Sequence, residues 1–218
     1  MDIILLSDYL RVIKKNIALF ILLTLIGVVI GYALPKIIPV TYTSSLDFYV
    51  RHKTQTSPLF YTYDGYYSTQ SSVDFTQTVA GFLESLSTVA NASQLVIADP
   101  SLKQLNVNTS NYANADYLQK FQKNISVKIT APQIVHLSIT DPNKQVSIVW
   151  TNAIENELLQ NLKILNEQGD SNFSVDAISS PITTENIINK YILMAVGGLL
   201  GIFLSFIIGF ARDDKKNH

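Results

Sequence analysis

The stretch from Tyr191 to Ala211, YILMAVGGLLGIFLSFIIGFA, carries no charged residue and is followed at once by RDDKK. An apolar run of this length crosses a bilayer core of about 30 Å as a helix. A second run, Ile17 to Leu34, reads IALFILLTLIGVVIGYAL and is preceded by Arg11, Lys14 and Lys15. Two such runs near the two ends of 218 residues constrain everything between them. The middle of the chain is expected as a domain carried on one side of a membrane.

The first run is longer than the apolar part of a secretory signal. Its exit, GYALPKIIP, offers no small-x-small cleavage pattern, so a retained anchor is expected. Arg11, Lys14 and Lys15 flank one helix, and Arg212, Lys215 and Lys216 flank the other. Long translocated segments count little in the positive-inside rule, so both termini are expected in the cytoplasm. The expected division is a cytoplasmic segment 1–16, a membrane helix 17–38, an external domain 39–189, a membrane helix 190–211 and a cytoplasmic tail 212–218. Both helices carry small residues four apart: Gly27 and Gly31 in the first, and Gly197, Gly201, Ser205 and Gly209 in the second. Small residues on one face let backbones approach closely in lipid, where no hydrophobic force joins helices. These six are expected to form a helix-packing face.

Roughly 150 residues remain between the helices, enough for one domain with its own core. Charged residues make up 15% and the net charge is -1. That balance argues against a nucleic-acid partner, which requires a basic face. With no cysteine, disulfides, thiolate metal sites and thiol nucleophiles are excluded. A domain held by packing alone suits a bacterial surface.

In TYTSSLDFYVR, the even positions Tyr42, Leu46, Phe48 and Val50 predict a half-buried strand. HKTQTSP is expected as a loop and FYTYDGYY as a tyrosine-rich turn; its rings could stack on sugars or sit at the membrane interface, but such clusters more often pack over a domain edge. From about Ser68 to Ile97, Phe75, Val79, Phe82, Leu86 and Val89 recur at helical spacing until Asp99-Pro100. A polar loop and a short helix, about Asn114 to Gln122, follow. Ile125 to Thr130 and Ile134 to Thr140 alternate as a hairpin joined by Ala131-Pro132-Gln133. Asp141 as N-cap and Pro142 at the first helical position predict a long helix. Its core stripe is Val146, Trp150, Ile154, Leu158, Leu162 and Leu165, and Gln168-Gly169-Asp170 ends it. Ile148 and Leu159 lie off that stripe beside Asn152 and Glu155, which makes them candidate subunit contacts. NFSVDAIS reads as the last strand, and Ser180-Pro181 as the way back to the membrane. The expected class is α+β, a small mixed sheet packed by helices. The first and last strands, each leading to a membrane helix, should be neighbours.

No catalytic, cofactor or metal constellation is legible. The three histidines, His52, His136 and His218, stand at no metal-ligand spacing. His136 alternates onto the polar side of its strand. Glu155 and Glu157, two apart on a helix, face different ways. No GxSxG, HExxH or P-loop occurs.

The run DIILLSDYLRVIKKNIALFILLTLIGVVIGYALPKIIPVTYTSSLDFYV resembles the N-terminal segment of the Wzz-like chain-length determinants, the polysaccharide co-polymerases. The shared pattern is an amphipathic lead, a basic pair, a membrane helix, a proline exit and an alternating strand. ISVKITAPQIVHLSITDPNKQVSIVWTNAIENEL is similar to the family's strand pair, Asp-Pro and long helix, and a second membrane helix completes the likeness. Where the family has a proline-rich stretch before that helix, only Pro181 stands in SSPITTENIINK. The resemblance implies a homo-oligomer in the bacterial inner (plasma) membrane, working with a polysaccharide polymerase or export machinery. It implies a short form without a fused kinase, and a separate cytoplasmic tyrosine kinase as a candidate partner. The residues alone leave two classes open: a scaffold for polysaccharide synthesis, or a membrane-anchored enzyme or sensor whose site is assembled from scattered carboxylates.

Overall fold

The computed structural model describes residues 13–52, 61–168 and 173–214, without the side chains of 61–68 and 213–214. Of the expected loop HKTQTSP, His52 instead ends a strand, and Lys53 to Pro58 lie outside the described residues, as do the helix stop at Gly169-Asp170, His218 and the outer parts of both expected cytoplasmic segments.

In chain order, α1 (Ile17–Ile37) leads to β1 (Thr41–His52), then to α2 (Tyr61–Glu84), α3 (Leu86–Ala98) and the short α4 (Pro100–Gln104). A 3-10 turn (Ser110–Ala113) and α5 (Ala115–Phe121) precede β2 (Ile125–Ala131) and β3 (Ile134–Asp141). The long α6 (Lys144–Gln168), β4 (Phe173–Ala177), β5 (Ile182–Asn186) and α7 (Lys190–Asp214) follow. The chain divides into two compact units, Met1–Val40 with Ile187–His218, and Thr41–Asn186.

The middle unit has the expected α+β class, but its sheet is antiparallel throughout rather than mixed. Strand order is β2-β3-β1-β4, with β5 also on β1, and all four pairings are antiparallel. The reason lies in the crossovers. β3 and β4 run in the same direction with α6 between them, yet β1 inserts between them in the sheet. β1 and β2 are likewise separated by β3. Each β-α-β unit is therefore split, which is the ferredoxin-like arrangement, and no two parallel strands touch.

The last strand of the sheet is interrupted. Val50 pairs with Val175 and Phe48 with Ala177, whereas Ser45 pairs with Ile182 and Thr43 with Thr184. The change of register inserts two residues between β4 and β5. The Ile178 N–H still donates to the Asp47 carbonyl (2.8 Å), after which Ser179 to Pro181 bulge outward. ITTEN thus adds β5, a strand not expected from the sequence, because Ser180-Pro181 signals a break and one isoleucine gives little alternation.

Helices cover the sheet face formed by Leu46, Phe48, Val50, Val135, Leu137, Ile139 and Val175, all buried. Trp150 is 0% exposed at the centre, its ring 4.3 Å from Phe121 and edge-on to Tyr112 at 5.5 Å. Two helix boundaries differ from expectation. The continuous helix expected to Ile97 breaks at Ser85, which leaves the helical region (ψ 139°) and accepts from the Thr88 N–H (3.1 Å). The break rotates the stripe, so Val79, Leu83, Val89 and Val96 are buried while Leu86 is exposed. The residues Tyr61 to Tyr67, expected as a tyrosine-rich turn, belong to the start of α2.

At the start of α6, Asp141 ends β3 and accepts from the Asn143 N–H (2.7 Å). Asn143 is the cap, accepting from Gln145 N–H (2.9 Å), and the helix opens at Lys144, beyond Pro142. The Asx turn wins because Asp141 still completes the ladder opposite Tyr42. Burial of Asp141 raises its pKa, opposed by the Asn143 N–H. Leu165, expected in the core stripe, is exposed.

Candidate functional surfaces

α1 and α7 form an antiparallel pair along the small residues. A Cβ built on Gly27 would strike the Gly197 carbonyl, with its carbon at 2.8 Å, and one on Gly197 would strike that of Gly27. Gly31 lies equally close to the Leu193 carbonyl, and Gly201 to that of Leu23. Ser205 and Gly209 are buried on the same face of α7, and the Ser205 hydroxyl donates to the Gly201 carbonyl (2.7 Å), which removes its polar cost in lipid. Phe20 and Phe206 close the seam edge to face at 4.9 Å. The other faces are apolar and bare: Ile21 is 62%, Leu199 67% and Phe203 63% exposed. That is the distribution of a pair meant for lipid, whereas the core helix of a soluble domain would be covered.

In the middle unit the uncovered sheet face is polar. Thr43 and Thr140 share a hydroxyl hydrogen bond (2.8 Å), Ser45 lies opposite Ser138, and Asp47 opposite His136. The Asp47 Oδ1 to His136 Nδ1 distance is 2.7 Å. Alternation put both residues on this face, but only the β1–β3 register brings them together. An acid–histidine pair orients the imidazole, and nucleophilic catalysis of the triad type also needs a hydroxyl at the other ring nitrogen. Among the described residues no such hydroxyl bonds Nε2, and no group of three metal-ligating side chains occurs. Arg51 pairs with Asp176 (3.0 Å) at the exposed end of the same face.

On α6, Glu157 is buried and accepts from the Asn91 (2.8 Å) and Asn161 (3.3 Å) amides, locking α3 to α6. Glu155 faces elsewhere, half-buried, and burial raises its pKa. Ile148 is half-buried and Leu159 is 41% exposed on that same flank. Together with the exposed Asn152 they form a strip of α6 that is only partly covered, most open at Leu159.

Among the described residues, a small antiparallel α+β unit is thus followed and preceded in the chain by helices long and apolar enough to cross a membrane. Residues 2–96 match the family model Wzz, chain length determinant protein. The matched stretch runs from the N-terminal segment through α1, β1 and α2 into α3; it includes the first of the two runs that carry the resemblance, whereas the strand pair, the long helix and the second membrane helix lie beyond it. The family's general role is polysaccharide chain-length determination. No curated protein sequence matches the chain.

Proposed function

We propose that this chain is an oligomeric, non-catalytic scaffold that regulates chain length or export of a bacterial surface polysaccharide. In this reading it lies in the inner (plasma) membrane with both termini cytoplasmic and residues 39–189 outside. The observation that carries it is the Wzz match over residues 2–96. Two further features support it: the close glycine seam of α1 and α7, and the partly exposed strip of α6 at Ile148 and Leu159, where a neighbouring copy can sit. A polymerase or export complex is the expected partner, with a separate tyrosine kinase as a candidate at the cytoplasmic tails. The net charge of -1 argues against a nucleic-acid partner, and the reading calls for no cofactor.

The enzyme reading is favoured by one observation, the Asp47–His136 pair. Gel electrophoresis of polysaccharide extracted from cells that carry only one form of the gene separates the two. The variant Ile148→Glu with Leu159→Lys is expected to remain folded and membrane-bound while shifting the length distribution. His136→Ala is expected to leave product amount unchanged. An unaltered distribution in the double variant, together with loss of product in His136→Ala, overturns the scaffold in favour of the enzyme.

A further inference from the structure

One end of the middle unit carries a groove of about 380 Å³ lined by Gln70, Ser71, Asp74, Phe75, Thr78 and Phe173. This is within the size range of small-ligand sites. Its composition follows from helix geometry: Gln70, Asp74 and Thr78 form one row four apart on α2, and Ser71 and Phe75 form the next. Phe75 stacks on Phe173 at 3.9 Å and 13°, and both rings are half-buried. The floor is held firmly. Asn166 bonds both the Phe173 N–H (3.1 Å) and carbonyl (2.8 Å), and Thr76 Oγ1 donates to the Pro132 carbonyl (3.2 Å). His52 backs Phe173 at 4.8 Å. The Gln70 amide donates to Asp74 Oδ1 (3.1 Å), leaving Oδ2 and the Gln70 carbonyl as acceptors at the rim.

We infer that this groove binds a hydroxyl-rich, uncharged sugar segment of the polymer, an assignment that rests on the polysaccharide reading above. A sugar ring has an apolar C–H face and a polar rim. The Phe75–Phe173 pair meets the first, and the Gln70, Asp74, Ser71 and Thr78 groups meet the second. Asp74 is the one charged residue among those that line the groove and forms no ion pair among the described residues, so its carboxylate disfavours uronic acids and phosphate-bearing units beside it.

The test is affinity electrophoresis of the full-length protein in mild detergent, in native gels containing either neutral polysaccharide extracted from the producing cells or hyaluronate as a uronic-acid polymer. The neutral polymer is expected to retard the wild type and hyaluronate to leave it unretarded. Gln70→Ala with Asp74→Ala, both in an exposed row, is expected to weaken retention at least tenfold. Phe75→Ala should do the same if its melting temperature is retained. Failure of the neutral polymer to retard the wild type overturns the assignment, as does equal retention of the Gln70/Asp74 double variant or equal retention by hyaluronate. The Ile148/Leu159 variant should bind like wild type. Its effect on polymer length is read separately, so loss of the groove assignment leaves the scaffold reading standing, and the reverse.

Discussion

Gly197→Leu is expected to separate α1 from α7. The contacting atoms are the backbone carbonyl group of Gly27 and the Gly31 nitrogen (3.5 Å from an added Cβ). Neither can rotate aside as a side chain would. Even the first carbon of leucine requires the helices to move apart, and overpacking of this kind costs about 1–3 kcal/mol or more. In lipid that loss is not recovered by apolar burial, since the tails solvate leucine as well as a neighbouring helix does. The full-length variant in mild detergent should still insert but melt several degrees lower. Gly81 gives the contrast: it lies in α2 with nothing within 4 Å of an added Cβ. Gly81→Ala is expected to be neutral or stabilising by up to about 1 kcal/mol. Equal melting of Gly197→Leu and wild type would make the glycines incidental.

Trp150→Ala is expected to remove most of the stability of the middle unit. Trp150 is fully buried among Phe121, Tyr112 and the sheet, and truncation of a core aromatic costs about 3–5 kcal/mol through lost burial and the cavity left behind. A domain of this size has about 5–15 kcal/mol in total. Urea unfolding followed by circular dichroism should show a large fall in midpoint. Leu159→Ala, on the partly exposed strip of α6, should change stability by less than about 0.5 kcal/mol. A Trp150→Ala midpoint equal to wild type would misplace the core.

The features legible from sequence are those governed by local periodicity. The membrane runs, β1, the β2–β3 hairpin and most of the α6 core stripe follow from apolar spacing alone, and the six small residues stand out because they recur every fourth position. Features that depend on register were hidden. Asp47 and His136 are 89 apart in sequence, and nothing local says that they pair. The sheet could be read as mixed because strand direction does not reveal which strand inserts between two others. Ser85 has the chemistry of a cap, but it lies inside an unbroken helical pattern, so only the phase of burial distinguishes one helix from two. At Asp141-Pro142 the local rule placed the cap two residues early, because Asp141 is also needed by the strand. The Phe75–Phe173 groove joins α2 to a strand nearly a hundred residues later, a pairing that no local pattern reveals.

The arrangement of two crossings with everything between them on the far side is tested most directly by cysteine labelling, since the chain contains no cysteine. Ser7→Cys, Asn108→Cys and Asn217→Cys each introduce one thiol, and Asn108 is exposed on the middle unit. In intact cells or spheroplasts treated with an impermeant maleimide, only the position 108 variant should react, while permeabilised cells should show all three reacting. Labelling at position 7 or 217 before permeabilisation, or protection of position 108, would contradict the account.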